Sequence, residues 1–299
     1  MQRSPAPLPS PSTTAGTILV VGAHGAIGSA LVPALVAAGE RVRAASRRGR
    51  SPLHGVEAVR LDLADARTIA PALDGVDRMF LVNPAENLDV TGALFSVVDA
   101  ATERGVKVVL LSVHGAADDE ANPYRQVERR LEAAGARSTF LRPNWVADNF
   151  HTYWAEGVAR GVLALPAGTG RISFVDVRDV AGAALAALRS DRFDGCALEL
   201  TGPAALDLHQ ATALVAARSG RPLRYQPIDE SDYVSASVGA GVPEAFARML
   251  AGLFAMVREG GTASVCDGVQ TLTGRSPRSL ADYAGDRFSA AAAARDKVA

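Results

Sequence analysis

The sequence has few of the residues that build metal centres and disulfide frameworks. Its only two cysteines, Cys196 and Cys266, cannot form a disulfide framework or supply a zinc site that needs four ligands. The five histidines are scattered along the chain without the HExxH spacing of zinc hydrolases. Of the 31 basic residues only Lys107 and Lys297 are lysines, which leaves 29 arginines. We therefore expect no metal centre and a reducing, cytoplasmic setting.

Excess charge and long apolar runs are also absent. Lys and Arg number 31 against 32 Asp and Glu, so the net charge of −1 gives no electrostatic reason to bind nucleic acid or an anionic membrane. No apolar run approaches the roughly 20 residues that span a bilayer. Residues 1–11 alternate proline and small polar residues, which is unlike a signal peptide. These features indicate a globular chain, monomeric or homodimeric, whose partner is a small molecule rather than nucleic acid or membrane.

Short apolar runs alternate with helical periods through the first half of the chain. The runs fall at 17–21, 42–45, 56–61, 78–82, 106–111 and 138–141, with helical stretches at 66–73, 89–104 and 123–134. This alternation predicts an α/β fold, a doubly wound parallel sheet with helices on both faces. We expect the core to span 17–150 and to be completed by 171–203. That second part should hold a strand at 171–175, a helix capped by Asp176 and a strand at 197–200.

The remaining residues predict a smaller part built onto this core. Residues 151–170 and 204–290 should form a C-terminal substrate-binding cap, with a helix over 243–258 and a helical period over 144–160. Residues 1–16 carry four prolines among small polar residues and are predicted to be a disordered tail, and 290–294 is predicted to be a short or frayed helix.

The most specific motif is a glycine-rich turn between the first strand and the first helix. It reads Gly22-Ala-His24-Gly25-Ala26-Ile27-Gly28. Gly22 allows a sharp turn, Gly25 a close backbone approach to a pyrophosphate, and Gly28 close packing of the helix on the sheet. Free N–H groups and the helix dipole then attract phosphate, so these residues, with His24 against the ligand, are predicted to bind a dinucleotide. The alternative is a strand–turn–helix in which the glycines serve packing only.

The end of the second strand indicates which dinucleotide is preferred. NAD-binding chains usually place Asp or Glu there to hold the ribose hydroxyls. Here the residues are Ser46, Arg47 and Arg48, and a guanidinium group suits a phosphate. The sequence therefore predicts NADP(H) as the cofactor, with Arg47 as the leading contact. A solvated basic turn is the alternative.

Several further segments resemble a known family. The GxxGxxG spacing, together with Asp62 after the third strand, is similar to the atypical short-chain dehydrogenase/reductases and most closely resembles the NmrA-like family of NAD(P)-binding proteins. The resemblance runs over about residues 16–285 and is carried by segments 75–83, 108–112, 127–135, 139–150, 174–180 and 272–277.

This resemblance implies a Rossmann fold with the nicotinamide over the ends of strands four to six. It implies that Asp62, with its neighbour Leu63, lies near the adenine and that Asn83 lies beside the nicotinamide ribose. A helix cap or turn is the alternative for Asp62 and Asn83. The resemblance also implies that the loop after Pro143 lines the substrate pocket, where aromatic rings could stack on a flat substrate or form ordinary cap core. The residues concerned are Asn144, Trp145, Asn149, Phe150, Tyr153 and Trp154.

The sequence departs from the wider superfamily at the proton-donating pair. Those reductases use Tyr-x-x-x-Lys, but here Tyr124 is followed four residues later by Glu128, and neither lysine is near. A negative glutamate would raise rather than lower the pKa of a neighbouring tyrosine. Tyr124 is therefore predicted to be a weak donor at best, or a surface residue at the start of a helix.

Ser112 and His114 follow the fifth strand, at the sheet edge where ligands bind in open α/β folds. A histidine side chain can titrate near neutrality, and His114 is predicted to protonate or orient the substrate. The alternative is a loop histidine with a satisfied hydrogen bond.

Together these features predict an NADPH-dependent reductase that passes hydride to a conjugated acceptor such as an enone, an iminium or a quinone-like ring. Such acceptors delocalise the incoming charge and need less help from a protein acid. Two alternatives stay open. One is a non-catalytic NADP(H)-binding redox sensor or regulator, and the other is a redox-neutral isomerase or cyclase on the same scaffold.

Overall fold

The computed structural model describes residues 16–288. Seven strands form one sheet in the order β3-β2-β1-β4-β5-β6-β9, and all of their pairings are parallel. The strands are β1 (Thr17–Val21), β2 (Arg41–Ser46), β3 (Glu57–Arg60), β4 (Val76–Leu81), β5 (Lys107–Leu111), β6 (Ser138–Pro143) and β9 (Ala197–Leu200). This confirms the doubly wound fold. The tail predicted at 1–16, apart from Gly16, and the helix predicted at 290–294 lie outside the described residues.

Helices cover both faces of the sheet because alternate strand residues point to opposite sides. Ile18 and Val20 of β1 belong to one apolar cluster, whereas Leu19 and Val21 belong to another. Three helices pack on the first cluster, α1 (Ala26–Ala37), α6 (Val177–Arg189) and the short α10 (Gly268–Thr273). Three helices pack on the second, α2 (Ile69–Leu73), α3 (Val90–Glu103) and α4 (Pro123–Ala133). Among the described residues, no helix combines the length and apolarity that a membrane crossing needs.

A third apolar cluster lies outside the sheet and is formed by the elements predicted to make the cap. Its helices are α5 (Ala155–Arg160), α7 (Leu208–Ser219), α8 (Glu230–Gly239), α9 (Glu244–Arg258) and α11 (Leu280–Phe288), with the short strands β7 (Val162–Leu165), β8 (Arg171–Ile172), β10 (Leu206–Asp207) and β11 (Arg224–Pro227). Ala147, Phe150 and Ile172 of β8 also belong to this cluster, although we placed them in the core. Helix α10 (Gly268–Thr273) instead packs on the side of α6 through Val269 and Leu272.

Two predicted elements differ from the structure. The strand predicted at 171–175 stops after Ile172, because Ser173 and Val175 donate their backbone N–H groups to loop carbonyls of Thr262 (3.2 Å) and Trp145 (2.9 Å). The helical period at 144–160 is a 3-10 turn at Ala147–His151 followed by α5. The two are separated by residues 152–154, of which Thr152 has a φ of −114° and a ψ of −95° that are not helical.

Side-chain caps begin four of the described helices. Asp89, Asn122 and Asp207 accept backbone N–H groups at the starts of α3, α4 and α7. Asp176 does the same for α6, as the sequence predicts. Helix α1 lacks such a cap, which bears on the candidate site.

Candidate functional site

The glycine-rich turn has no room for side chains at its first and last glycines. Gly22 has a φ of +70°, and a β-carbon there would lie 2.6 Å from Val82 Cγ1. A β-carbon on Gly28 would lie 2.2 Å from the Gly22 carbonyl oxygen and 2.8 Å from Ala23 Cα. Gly25 closes the turn by donating its N–H to Gly22 O at 2.9 Å. Gly22 and Gly28 therefore have the structural roles that the motif predicts, a sharp turn and a helix packed closely on the strand, while the approach of Gly25 to a pyrophosphate stays a prediction.

The start of α1 is open to an anion. Its cap residue is Gly25, no side chain caps it, and its first turn holds no acidic residue. The N–H groups of the first helical turn, where Ala26 and Ile27 lie, have no intrahelical acceptor. With the helix dipole they make this end of a twelve-residue helix suitable for phosphate. The residues present fit a dinucleotide pyrophosphate.

The loop after β2 lies against the glycine turn. Ser46 closes this loop, since its hydroxyl donates to Arg50 O at 2.9 Å and accepts from Arg50 N at 3.0 Å. The exposed ring of His24 reaches the same carbonyl oxygen through Nε2 at 2.9 Å. Arg47 and Arg48 are exposed, and neither makes an ion pair within residues 16–288. Arg47 and Arg48 are thus exposed in a loop that contacts the predicted pyrophosphate turn.

Asp62, Leu63 and Asn83 occupy turns. Asp62 accepts from Ala64 N at 3.2 Å, and Leu63 packs half-buried on the second cluster. The buried Asn83 amide donates to Asn87 O at 2.8 Å and to Pro84 O at 3.1 Å. Both polar residues have the turn role that we left open as an alternative, and a contact with the cofactor stays a prediction for all three.

Tyr124 and Glu128 do not act on each other as the sequence suggested. Burial raises the pKa of Tyr124, opposed by a hydrogen bond from Asn83. Glu128 is 0% exposed and faces away to Arg142, with oxygen–nitrogen distances of 2.6 and 2.9 Å, and to Arg125 at 2.9 Å. The prediction that Glu128 raises the tyrosine pKa is therefore wrong in its cause, because two arginines neutralise the glutamate.

The hydroxyl of Ser112 belongs to the same buried network. Ser112 is buried and donates to Glu128 Oε1 at 2.7 Å. Burial alone would raise the pKa of Glu128, but hydrogen bonds from Arg142, Ser112 and Arg125 outweigh it and hold that pKa below its usual range. A catalytic role for Ser112 stays a prediction, and its proton is already donated to a carboxylate.

His114 is held on both ring nitrogens. Its Nδ1 lies 2.6 Å from Glu199 Oε2, while Nε2 lies 3.2 Å from Gly261 O and 3.2 Å from Ser264 Oγ. The hydrogen bond to Glu199 raises the pKa of His114, opposed in part by burial. We did not predict Glu199 or Ser264. A charged residue inside the apolar run at 197–200 was the one available signal for Glu199.

The residues predicted to line a substrate pocket have different surroundings. Asn144 is buried, and its amide donates to Ser173 Oγ at 2.7 Å and to Thr262 O at 2.9 Å. Phe150 and Trp154 lie inside the third cluster, where their ring centroids are 5.1 Å apart. Trp145 packs on the same cluster, with its centroid 4.8 Å from that of Phe254.

Tyr153 and Asn149 complete the predicted set. Tyr153 is 56% exposed and Asn149 is half-buried. The three most buried rings thus have the cap-core role that we left open, while Tyr153 presents a ring to solvent. Substrate contacts of all six residues stay predictions.

An exposed apolar patch, formed by Leu253, Met256 and Val265, lies beside His114. Leu253 and Met256 are three residues apart on α9 and are each 39% exposed, and Val265 is 52% exposed. Met256 Cε comes within 4.0 Å of where a β-carbon on Gly115 would stand, next to His114 in the chain. Val265 follows Ser264, which contacts His114. Exposed apolar side chains from two segments thus lie near a polar group.

The parallel sheet and the open glycine turn define a dinucleotide-binding protein of the doubly wound α/β class. Comparison with known proteins makes the assignment more specific. The chain belongs to the NmrA-like family, whose model matches residues 14–283. The predicted family and fold are thereby confirmed.

Two relatives and one solved structure illustrate the similarity. The chain is 33% identical to an NAD(P)H azoreductase of Xenophilus azovorans, over 93% of this chain and 100% of the relative. It is also 33% identical to a (4-alkanoyl-5-oxo-2,5-dihydrofuran-3-yl)methyl phosphate reductase of Streptomyces griseus, over 91% of this chain and 98% of the relative. A structure of an NADPH-dependent quinone oxidoreductase from Escherichia coli, complexed with NADPH, superposes with a TM-score of 0.80 at 26% identity, covering 91% of this chain and all of that one.

Proposed function

We propose that this protein is an NADPH-dependent reductase that transfers hydride to a conjugated small-molecule acceptor. The observation that carries the proposal is the glycine turn before the uncapped helix α1, with Arg47 and Arg48 exposed beside it. The relatives support it, since two of the similar proteins are named as NAD(P)H- or NADPH-dependent reductases, the third is named as a reductase, and one was solved with NADPH.

The chain supplies binding and orientation at this turn. Backbone N–H groups at the start of α1 would hold the pyrophosphate, and Arg47 and Arg48 would hold the phosphate on the adenosine ribose. NADPH, when bound, supplies the hydride. Glycine at positions 22 and 28 allows the tight turn that would bring these N–H groups to the pyrophosphate, because a β-carbon at either position would lie within 3 Å of protein atoms.

A conjugated acceptor fits the surroundings of His114. The exposed patch of Leu253, Met256 and Val265 offers apolar contact to a flat ring. The similar proteins are named for an azo group, a quinone and an oxo-dihydrofuran, all of which are conjugated. Such acceptors spread the incoming charge, so they suit a site in which Glu128 replaces the lysine of the usual proton-donating pair.

Turnover and binding measurements test the proposal. Loss of NADPH absorbance should depend on added acceptor across a panel of quinones, enones and iminium ions, and calorimetry should detect NADPH binding. Tight NADPH binding without turnover of any acceptor would contradict the reductase and favour a sensor or regulator. Absence of binding to either nicotinamide cofactor would contradict the cofactor assignment itself.

Replacing both Arg47 and Arg48 with alanine should weaken NADPH binding by roughly 10- to 100-fold. Hydrogen bonds to a charged group contribute about 1.5–3 kcal/mol, and each 1.4 kcal/mol is tenfold in affinity. NADH lacks the extra phosphate, so its affinity should change little. The dissociation constants of both cofactors, measured by calorimetry, provide the check.

Arg41 offers a matched control for this pair, because it is exposed at the opposite end of the same strand, β2. Arg41→Ala should leave both affinities unchanged. Equal weakening of NADPH and NADH in the double variant would count against a phosphate contact.

A further inference from the structure

Glu199, His114 and Ser264 stand in a row at the carboxyl edge of the sheet. Glu199 Oε2 is 2.6 Å from His114 Nδ1, and His114 Nε2 is 3.2 Å from Ser264 Oγ. Glu199 comes from β9, His114 from the loop after β5 and Ser264 from the loop after α9. Ser264 is exposed and precedes Val265 of the apolar patch, so its hydroxyl is the end of the row that a ligand can reach.

The groups around His114 favour a proton on both of its nitrogens. Glu199 Oε2 lies 2.6 Å from Nδ1 as an ion-pair contact, and the carbonyl oxygen of Gly261 lies 3.2 Å from Nε2, where only a donor makes a favourable contact. Asp118 adds a second negative charge nearby, and together these groups raise the pKa of His114. The other oxygen of Glu199, Oε1, is 3.4 Å from Arg142 Nη1, so a protonated His114 and Arg142 place a cation at each oxygen of the carboxylate.

Ser264 has one more titratable neighbour. Its hydroxyl also bonds to Cys266, and burial raises the pKa of that thiol. Cys266 therefore stays protonated near neutral pH and adds no negative charge to the row. The Ser264 hydroxyl can accept from His114 and, by rotating away from the weakly accepting thiol, direct its own proton toward a ligand.

The order carboxylate, imidazole and hydroxyl resembles the triad of serine hydrolases, but the charges differ. In a hydrolase the imidazole is neutral and accepts the hydroxyl proton. Here the Gly261 carbonyl occupies the same nitrogen and favours the protonated ring. This geometry suits an acid that gives up a proton rather than a base that takes one.

We propose that Glu199, His114 and Ser264 form a proton-delivery chain that protonates the reduced acceptor. The proposal rests on the reductase function proposed above and names its missing proton donor. Ser264 is the catalytic residue that meets the acceptor, His114 supplies the proton, and Glu199 is a positioning residue that holds the imidazolium.

The step balances in atoms and charge. A neutral quinone or enone that has received a hydride is an anion with a negative oxygen. That oxygen takes the hydroxyl proton of Ser264, while the Nε2 proton of His114 moves to Ser264 Oγ. The product is neutral, His114 is left as the neutral imidazole, and water returns its proton. An iminium ion or a triarylmethane cation becomes neutral on receiving hydride and needs no proton.

This difference between acceptors gives the first test. Ser264→Ala should lower kcat for a quinone roughly a hundredfold, the usual size of an acid contribution, and should leave turnover of a triarylmethane cation nearly unchanged. Ser264→Thr keeps the hydroxyl and should restore quinone turnover. Ser235→Ala, at an exposed serine of α8, is the matched control and should change neither. Equal loss with both acceptors, or no loss with either, would overturn the proposal.

The second test examines the proton-delivery chain without measuring turnover. NMR titration of the His114 ring in the unliganded protein should show a pKa above the ordinary histidine value, and Glu199→Gln should lower it. In the unaltered enzyme kcat/KM for the quinone should fall as pH rises through that pKa, and Glu199→Gln should move the fall to lower pH. A His114 pKa that Glu199→Gln does not change would overturn the chain.

The two tests separate this proposal from the reductase function. If the unaltered protein reduces neither acceptor, the reductase function and the delivery role both fail, whatever the NMR titration shows. If it reduces both acceptors and Ser264→Ala slows both or neither, only the proton-delivery chain fails.

Discussion

Gly28→Ala should weaken NADPH binding by at least about tenfold and destabilise the protein by about 1–3 kcal/mol, the usual cost of overpacking a close contact. A β-carbon at this position would stand 2.2 Å from the Gly22 carbonyl oxygen and 2.8 Å from Ala23 Cα, both of which are backbone atoms. They cannot rotate away as a side chain can, so α1 must move off the strand. That movement displaces the N–H groups proposed to hold the pyrophosphate. Calorimetry with NADPH and chemical unfolding measure the two effects.

Gly182→Ala is the matched control for this substitution. Gly182 lies inside α6, and its added β-carbon would make an ordinary contact of 3.6 Å with Thr273 Cγ2. Because alanine favours a helix over glycine by about 1 kcal/mol, this variant should be as stable as the unaltered protein or more so, with NADPH affinity unchanged. Normal NADPH affinity in Gly28→Ala would show that α1 does not need its close approach to β1.

The fold was predictable because its signals are local. Strands buried on both faces read as continuous apolar runs, such as Thr17–Val21, and the helices between them keep a 3.6-residue period. The glycine turn was predictable for the same reason, since its three glycines lie within seven residues. The predicted and observed elements differ here mainly at the ends of strands. For example, β2 also includes Arg41 and Ser46, which lie just outside the predicted strand at 42–45.

The surroundings of the candidate site were less predictable because they join distant segments. Glu199 and Ser264 reach His114 from 85 and 150 positions away, and no local pattern marks either contact. Asn144 shows in the same way that residue type does not reveal which contacts a side chain makes. Asn144 has the residue type of a ligand contact, yet its amide is used by Ser173 and Thr262. An aromatic group in sequence likewise does not distinguish a stacking surface from a packed cap.

Glu128→Ala should destabilise the protein by roughly 3–5 kcal/mol, the cost of removing one partner from a buried ion pair. Glu128 is 0% exposed and accepts hydrogen bonds from Ser112, Arg125 and Arg142. Without the glutamate, the buried Arg142 keeps only its 3.4 Å contact with Glu199. The free energy of unfolding, measured with urea at neutral pH, checks the value. Since Arg142 also contacts Glu199, the variant should disturb the contact between Glu199 and His114 as well.

The pH dependence of this effect has a definite sign. Because the folded state holds the pKa of Glu128 below its usual value, the glutamate stabilises the fold above the ordinary glutamate pKa. That contribution is lost as pH falls through the lowered pKa. The difference in the free energy of unfolding between the unaltered protein and Glu128→Ala should therefore become smaller at acidic pH. Glu120→Ala, at an exposed glutamate that also pairs with Arg125, should leave the unfolding midpoint nearly unchanged. An equal loss in both variants would mean that Glu128 acts as a surface charge rather than as the centre of a buried network.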